Sequence, residues 1–297
     1  MILVGTASWA DKNLIDSGLF YPAHIKTPSD RLAYYASQFP LVEVDSSYYA
    51  LPSERNAALW AERTPADFRF DIKSFRLFTQ HQTPPKVLPV DIRVALGAVE
   101  KQHIYYHDLP EELRDELWQR FRSALRPLKD AGKLGVVLFQ FPPWFVFRQS
   151  NLEHIAACAR MMEGFRVAVE FRHRSWFDDQ HRENALEFER RLGLTHVVVD
   201  EPQGFASSIP SVWEVTTPEI AVVRLHGRKR ETWSQKGLES SAERFNYLYS
   251  TDELRKLVGA VKTLASKARE VHVVFNNNFG NFAQRNARDL AQLLLES

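Results

Sequence analysis

Eight short β-branched runs recur along this chain, and nearly every one is followed by enough sequence to build a helix. The runs occupy positions 2–4, 41–44, 68–73, 134–139, 166–171, 195–199, 221–225 and 271–275. Helical patterns fill 29–38, 53–63, 113–129, 152–162, 182–192 and 251–266, and a last one spans 283–294. Strands that alternate with helices of this length pair in parallel, because the helix carries the chain back across the sheet. Eight such units predict a closed TIM-type (β/α)8 barrel, an α/β fold, rather than an open sheet. All 297 residues then belong to a single barrel domain, a length that α/β barrels routinely use.

Local chemistry marks several boundaries. Pro52 or Ser53 opens the helix after the second strand, and Gly193 stops the helix before the sixth. Ser250 or Thr251, followed by Asp252 and Glu253, reads as a helix start with acidic residues in its first turn. The connection 75–134 is too long for a plain loop. Its Thr83-Pro84-Pro85 segment, a short helix over 92–99 and the long helix over 113–129 predict a helical insertion at about 76–133, between strands three and four. A second long excursion covers 227–249.

Strand alternation carries the functional argument. Successive residues of a strand face opposite ways, and barrel strands bury their outer face against helices. The apolar sets Val42/Val44, Phe70/Ile72, Val167/Val169 and Val223/Leu225 therefore face out. Glu43 and Asp45, Arg69, Asp71 and Lys73, Glu170 and Arg172, and Arg224 and His226 face in. Buried charges must be paired or reached by solvent, so an ion network of Arg69 and Arg224 with Glu43 and Glu170 is expected. Asp200 joins the inward carboxylates, and Asn276 closes the eighth strand. Strand ends are where barrel enzymes build their sites.

The segments just beyond the strands repeat the signal: Ser8-Trp9, Ser46-Ser47-Tyr48-Tyr49, Phe75-Arg76, Gln140-Phe141-Pro142-Pro143, His173-Arg174-Ser175-Trp176, Gly227-Arg228 and Asn277-Asn278-Phe279. Aromatics beside Arg and Asn suit a planar or sugar-like ligand. With Glu170-Phe171-Arg172 and Arg224-Leu225-His226, these stretches resemble the DUF72 (YecE-like) family along nearly the whole chain. The resemblance implies a TIM barrel and assigns no reaction. The chain departs from the commoner family pattern at Ala7-Ser8 and at Gln80, which precedes His81.

On these residues the expected catalytic set is Glu43, Asp45, Lys73, Glu170 and His226, at the C-terminal face of the barrel. The expected ligand-binding set is Trp9, Tyr48, Arg76, Gln140, Arg172, His173, Trp176, Arg224, Arg228, Asn276, Asn277 and Asn286. Arg favours bidentate recognition of phosphate or carboxylate. Arg69 and Arg224 are expected to lower the pKa of Glu43 and Glu170. The partner is thus an anionic small molecule or a short nucleic-acid segment. A net charge of +1 argues against extended duplex binding. A hydrolase or lyase acting on a phosphate-containing sugar, nucleotide or nucleic-acid ligand fits. A non-catalytic nucleotide or single-strand binding module and a metal-dependent endonuclease-like or isomerase-like enzyme stand as alternatives. The sequence names no cofactor and no metal ligand set: it has no His-Glu-x-x-His, no phosphate loop, no dinucleotide fingerprint and no nucleophile elbow. Cys158 is the only cysteine, so no intrachain disulfide ties the chain to an oxidising compartment. Met1-Ile2-Leu3-Val4-Gly5 reads as a strand rather than a signal peptide, and no apolar stretch reaches membrane-spanning length. The cytoplasm is the expected location.

Overall fold

The computed structural model describes residues 1–235, 237 and 241–296. Part of the excursion over 227–249, namely 236 and 238–240, lies outside the described residues. Eight parallel strands close into a barrel in chain order: β1 (Ile2–Ala7), β2 (Leu41–Val44), β3 (Arg69–Lys73), β4 (Leu134–Gln140), β5 (Val167–Glu170), β6 (Thr195–Asp200), β7 (Ile220–Leu225) and β8 (Glu270–Phe275). Helices α1 (Lys12–Ser17) and α2 (Pro28–Gln38) join β1 to β2, and α3 (Ser46–Tyr49) and α4 (Glu54–Glu62) join β2 to β3. The insertion carries α5 (Val90–Leu96) and α6 (Glu111–Asp130). Then follow α7 (Gln149–Met161), α8 (Arg182–Leu192), α9 (Thr251–Ala265) and α10 (Phe282–Glu296).

The helix starts rest on the capping chemistry visible in the sequence. Ser53 accepts from the Asn56 N–H ahead of α4, Ser250 and Glu253 form a reciprocal capping box at α9, and Gly193 ends α8 at φ 64°. The short α1, capped by Asp11, has too few residues to show a helical period and was not legible beforehand.

Between barrel and helices lies the main core. The outward residues Val42, Val44, Phe70, Ile72, Val167, Val169, Val223 and Leu225 are all buried there. The insertion seals its own side by stacking Phe78 on Trp118 of α6, ring centroids 3.6 Å apart. Inside the barrel β1 approaches β2 closely: a Cβ at Gly5 would stand 2.0 Å from the Leu41 carbonyl oxygen. The register slips between Phe70 and Ile72, where β3 meets β4. Asp71 fills that irregularity by accepting from the Val136 N–H at 2.9 Å.

Candidate functional site at the barrel mouth

Three strands converge on one guanidinium. Arg224 on β7 donates through Nε and Nη2 to both oxygens of Glu43 on β2, at 2.8 and 2.5 Å. Its Nη1 donates to Glu170 Oε2 on β5 and, at 3.2 Å, to Gln140 Oε1 at the end of β4. Side chains from strands two, four, five and seven meet only by pointing inward, so the alternation is read correctly on strands two, five and seven. Above them Arg172, just past β5, donates to Glu170 Oε1 at 2.5 Å, to Glu201 Oε2 at 2.6 Å and to His226 Nε2 at 2.9 Å.

These contacts set the protonation states. Burial pushes Glu43 up to about 7, with Arg224 opposing the rise. Glu201 also reaches about 7 by burial, against Arg172. Burial pushes Glu170 upward too, but Arg172 and Arg224 together outweigh it and hold the carboxyl well below its usual range. The expectation that arginine would lower both Glu43 and Glu170 thus holds for Glu170 alone, because Glu43 shares a single guanidinium. His226 falls to about 3 through burial and the nearby Arg172. Since its Nε2 accepts from Arg172, the proton of neutral His226 sits on Nδ1, 3.0 Å from the Asn276 side-chain amide. Asn276 then presents its oxygen to that N–H, an amide orientation assigned from the network.

A cavity of about 200 Å³ opens beside this network, lined by Gln140, Pro143, Arg172, Ser207, Trp233, Arg244 and Phe245. Arg172 forms its polar base. Trp233 and Phe245 meet edge to face with centroids 6.2 Å apart, and Phe245 lies 6.1 Å from the His226 ring. Arg244 donates to the Gln235 carbonyl oxygen at 3.1 Å, while its buried Nε has no hydrogen-bond partner among the described residues.

The other residues singled out in the sequence take varied positions. Lys73 stands 3.3 Å from Asp45, and the Lys73 and Arg76 cations lie 5.0 and 5.2 Å from the Tyr48 ring centroid. His173 turns back on its own loop, accepting through Nδ1 from the Ser175 N–H at 3.2 Å. Trp9 packs against Trp60 and Phe70 in the layer outside the barrel, at 5.5 and 6.3 Å. Trp176 is fully buried, stacked on Phe171 at 3.8 Å with its indole N–H on the Phe145 carbonyl oxygen at 2.6 Å. Both tryptophans are spent on packing rather than on the mouth. Arg228 is tied to Asp200 and Glu253 at 2.6 and 3.1 Å. Asn286 grips the Tyr249 backbone, accepting from its N–H at 3.0 Å and donating to its carbonyl at 2.9 Å. Asn277 donates to Asn286 at 2.9 Å and to the Tyr247 carbonyl at 2.8 Å. These two asparagines clamp the β7–α9 loop onto α10.

Two inward assignments need correction. Arg69 reaches neither Glu43 nor Glu170; it lies 3.5 Å from Glu270 at the opposite end of the barrel, because it opens β3 whereas Lys73 closes it. There Glu270 also binds Arg166 at 2.9 Å, and His272 sits 2.9 Å from both oxygens of Asp71. The interior thus holds two charge clusters. Asp200 turns outward, accepting from Tyr249 Oη at 2.8 Å, and the next residue, Glu201, supplies the mouth carboxylate. The run Val197-Val198-Val199 shows no alternation from which that parity could be read. Ser207 and Trp233 lie in loops, and Arg244 and Phe245 in a single 3-10 turn (Ser241–Phe245), segments too short to show a period in the sequence.

Parallel strands closed around an inward ion network, with a small pocket at the strand ends, define a TIM-barrel class of protein. Over residues 3–297 the chain matches the family described as "Protein of unknown function DUF72", and it belongs to that family. It is similar to the UPF0759 protein YunF of Bacillus subtilis, 33% identical over 297 residues that cover 99% of this chain and 95% of YunF. A DUF72 structure from Enterococcus faecalis superposes with a TM-score of 0.81 at 28% identity, covering 100% of this chain and 96% of that one. One from Thermotoga maritima gives 0.77 at 31% identity, with 100% of both chains covered. No helix among the described residues is long and apolar enough to cross a membrane.

Proposed function

We propose that the mouth pocket binds a small anionic ligand carrying a ring, and that the ring packs on Trp233 and Phe245 while Arg172 and Arg244 take the charge. The observation that carries this reading is the pair of arginines on one cavity of about 200 Å³, one of them with a buried Nε that lacks a partner among the described residues. Arg172 is fixed by Glu170, Glu201 and His226, so its remaining edge is preorganised and little side-chain entropy is lost on binding. The volume suits one ring-sized group such as a sugar phosphate or a nucleotide base. A duplex does not enter it.

Calorimetric titration of metal-free protein with inorganic phosphate, ribose 5-phosphate and adenosine monophosphate tests the reading. Saturable binding that weakens at least about tenfold in Arg244→Gln is expected, the loss of one charge-assisted hydrogen bond. Absence of saturable binding to all three sinks the proposal. Recovery only on adding a divalent ion promotes the metal-dependent alternative.

The carboxyls of Glu43 and Glu201, both pushed up to about 7, favour an acid–base enzyme over a passive binder. A hydrolase or lyase acting on a phosphate-containing ligand is the class that uses them. Glu201, on the arginine at the pocket base, is the general acid or base, and Glu170, paired with two guanidiniums, is not. A turnover screen with phosphate esters checks this: Glu201→Gln should lower the rate by about 10²-fold or more. Ligand binding with no turnover of any ester would instead identify a binding module.

A further inference from the structure

A second group of cations and rings lies on the β2–β4 side of the mouth, and the pocket just described leaves it unused. Arg76 forms no ion pair among the described residues, and its buried Nε has no hydrogen-bond partner. Its guanidinium and the Lys73 ammonium both lie over the Tyr48 ring, at 5.2 and 5.0 Å. His81 meets Tyr48 edge-on at 5.2 Å and Trp144 at 5.9 Å, and its Nδ1 is tethered to Thr79 Oγ1 at 2.9 Å. The preceding Gln80 is held at φ 60°, a left-handed conformation that costs a residue with a Cβ and that persists only where its surroundings enforce it. Trp144 is 55% exposed, an uncommon state for an indole with neighbours available to cover it.

Charge bookkeeping gives this cluster a sign. Lys73 is offset by Asp45 at 3.3 Å, and Arg76 is left over. Burial, reinforced by Lys73, Arg76 and Arg172, pushes His81 down to about 3 and keeps it neutral, so it adds no further repulsion. The two groups adjoin. Gln140 and Pro143 line the first pocket, and Trp144, the next residue along, belongs to the second group.

We infer that Tyr48, Lys73, Arg76, His81 and Trp144 form a second subsite, in which Lys73 and Arg76 take a phosphate and Trp144 stacks a base. The ligand of the mouth is then a short single-stranded nucleic acid with at least two phosphates. This rests on the anion pocket proposed above and extends it across Pro143. An exposed indole, here next to His81, accepts a base of any identity through its π-face, but only an unpaired base. A net charge of +1 argues against the extended basic face that a duplex requires.

The test compares 5′-phosphorylated mono-, di- and tetradeoxyadenylate, and a duplex carrying the same tetranucleotide, by calorimetry and tryptophan fluorescence at low and moderate salt. The dinucleotide should bind at least about tenfold more tightly than the mononucleotide, the worth of one stacked base. Trp144→Ala and Arg76→Gln should each collapse that ratio towards one, while Arg244→Gln weakens every length. Trp144 is exposed, so its replacement keeps the test open should Arg76→Gln fail to fold. Equal affinity for mono- and dinucleotide, a ratio that survives both substitutions, or equally tight duplex binding overturns the second subsite and leaves the first pocket standing. Failure of the mononucleotide to bind, with Arg244→Gln without effect, removes the pocket reading itself.

Discussion

Arg172 donates to Glu201 Oε2 at 2.6 Å inside the mouth, and the bond joins a fixed positive charge to a titrating one. Burial pushes Glu201 up to about 7, Arg172 opposing. Glu43, below it, also reaches about 7 by burial against Arg224. As pH rises through 7 both carboxyls ionise and add negative charge beside the pocket. Affinity for phosphate should therefore fall between about pH 6 and pH 8, beyond the change caused by phosphate's own titration. A sulfate titration, whose ligand keeps its charge throughout, isolates the protein's part. The slope should shrink in Glu201→Gln. A flat sulfate profile in the native protein would show that these carboxyls do not face the bound anion.

Arg224 should be the most costly single residue to remove from the interior. It is fully buried and bridges Glu43 and Glu170. Taking it away leaves Glu43 without its guanidinium and Glu170 with Arg172 alone, and breaking a buried pair costs about 3–5 kcal/mol. Urea unfolding of Arg224→Met at pH 7 reads this loss directly. A more acidic medium should restore part of it, because protonating Glu43 removes the stranded charge. A change below about 1 kcal/mol would mean that water reaches the pair.

How far the sequence carried this picture depends on where it alternated. Around Glu43, Asp71, Glu170 and Arg224, on β2, β3, β5 and β7, the flanking residues are apolar, and inward residues such as Glu43, Glu170 and Arg224 were readable in the sequence. On β6 three valines run together, the face was unreadable, and Asp200 stood in for Glu201. Depth was also invisible: parity puts Arg69 inside but not at which end, and Arg69 and Lys73 stand at opposite ends of the five-residue β3, one in each charge cluster. The aromatics failed for a different reason. Trp9 and Trp176 follow strand ends as Tyr48 does, yet the indole of Trp176 finds a buried carbonyl and both rings find apolar neighbours. Trp233, Arg244 and Phe245 come from the excursion between β7 and α9, whose one 3-10 turn among the described residues (Ser241–Phe245) is too short to show a period.

Asn286 should act on the pocket from a distance. Its amide satisfies both the N–H and the carbonyl of Tyr249. Tyr249 in turn accepts from the Gly227 N–H at 2.9 Å and donates to Asp200 at 2.8 Å. This ladder anchors the C-terminal end of the loop that carries Trp233 and Phe245. Asn286→Ala strands two buried backbone groups, at about 1–3 kcal/mol. It should also weaken ligand binding, although the hydrogen bonds of its side chain go to Tyr249 and Asn277 and not to the residues that line the cavity. Asn286→Asp retains the acceptor and loses the donor, so its effect should be intermediate. Equal ligand affinity in native protein and Asn286→Ala would show that the loop is positioned by other contacts.

The second charge cluster makes a separable claim about stability. His272 is fully buried, with Nδ1 2.9 Å from both Asp71 oxygens and Nε2 3.5 Å from Glu270. Burial lowers its pKa, but the two carboxylates prevail and raise it to about 9. The folded pKa lies above the unfolded value of about 6.5, so the stabilisation is fully present below about pH 6.5 and is lost as pH rises through 9. The shift corresponds to about 3 kcal/mol. Glu43 and Glu201, also raised, lose stability in the lower window between their usual carboxylate range and about 7. The pairing of Glu270 with His272 holds Glu270 down at about 2, which matters only in acid. Urea unfolding at pH 6, 7.5 and 9.5 should therefore show native protein losing stability across the upper window. Asp71→Asn keeps an acceptor for the Val136 N–H and for a neutral imidazole but removes the negative charge. It should be less stable than the native protein at pH 6 and nearly match it at pH 9.5. Gly135→Ala provides a steric control, because a Cβ there would stand 2.1 Å from Asp71 Oδ1 and 2.8 Å from His272 Cε1. That substitution should cost about 3 kcal/mol by crowding. If Asp71→Asn follows the native pH profile in parallel from 6 to 9.5, His272 is not the group that titrates.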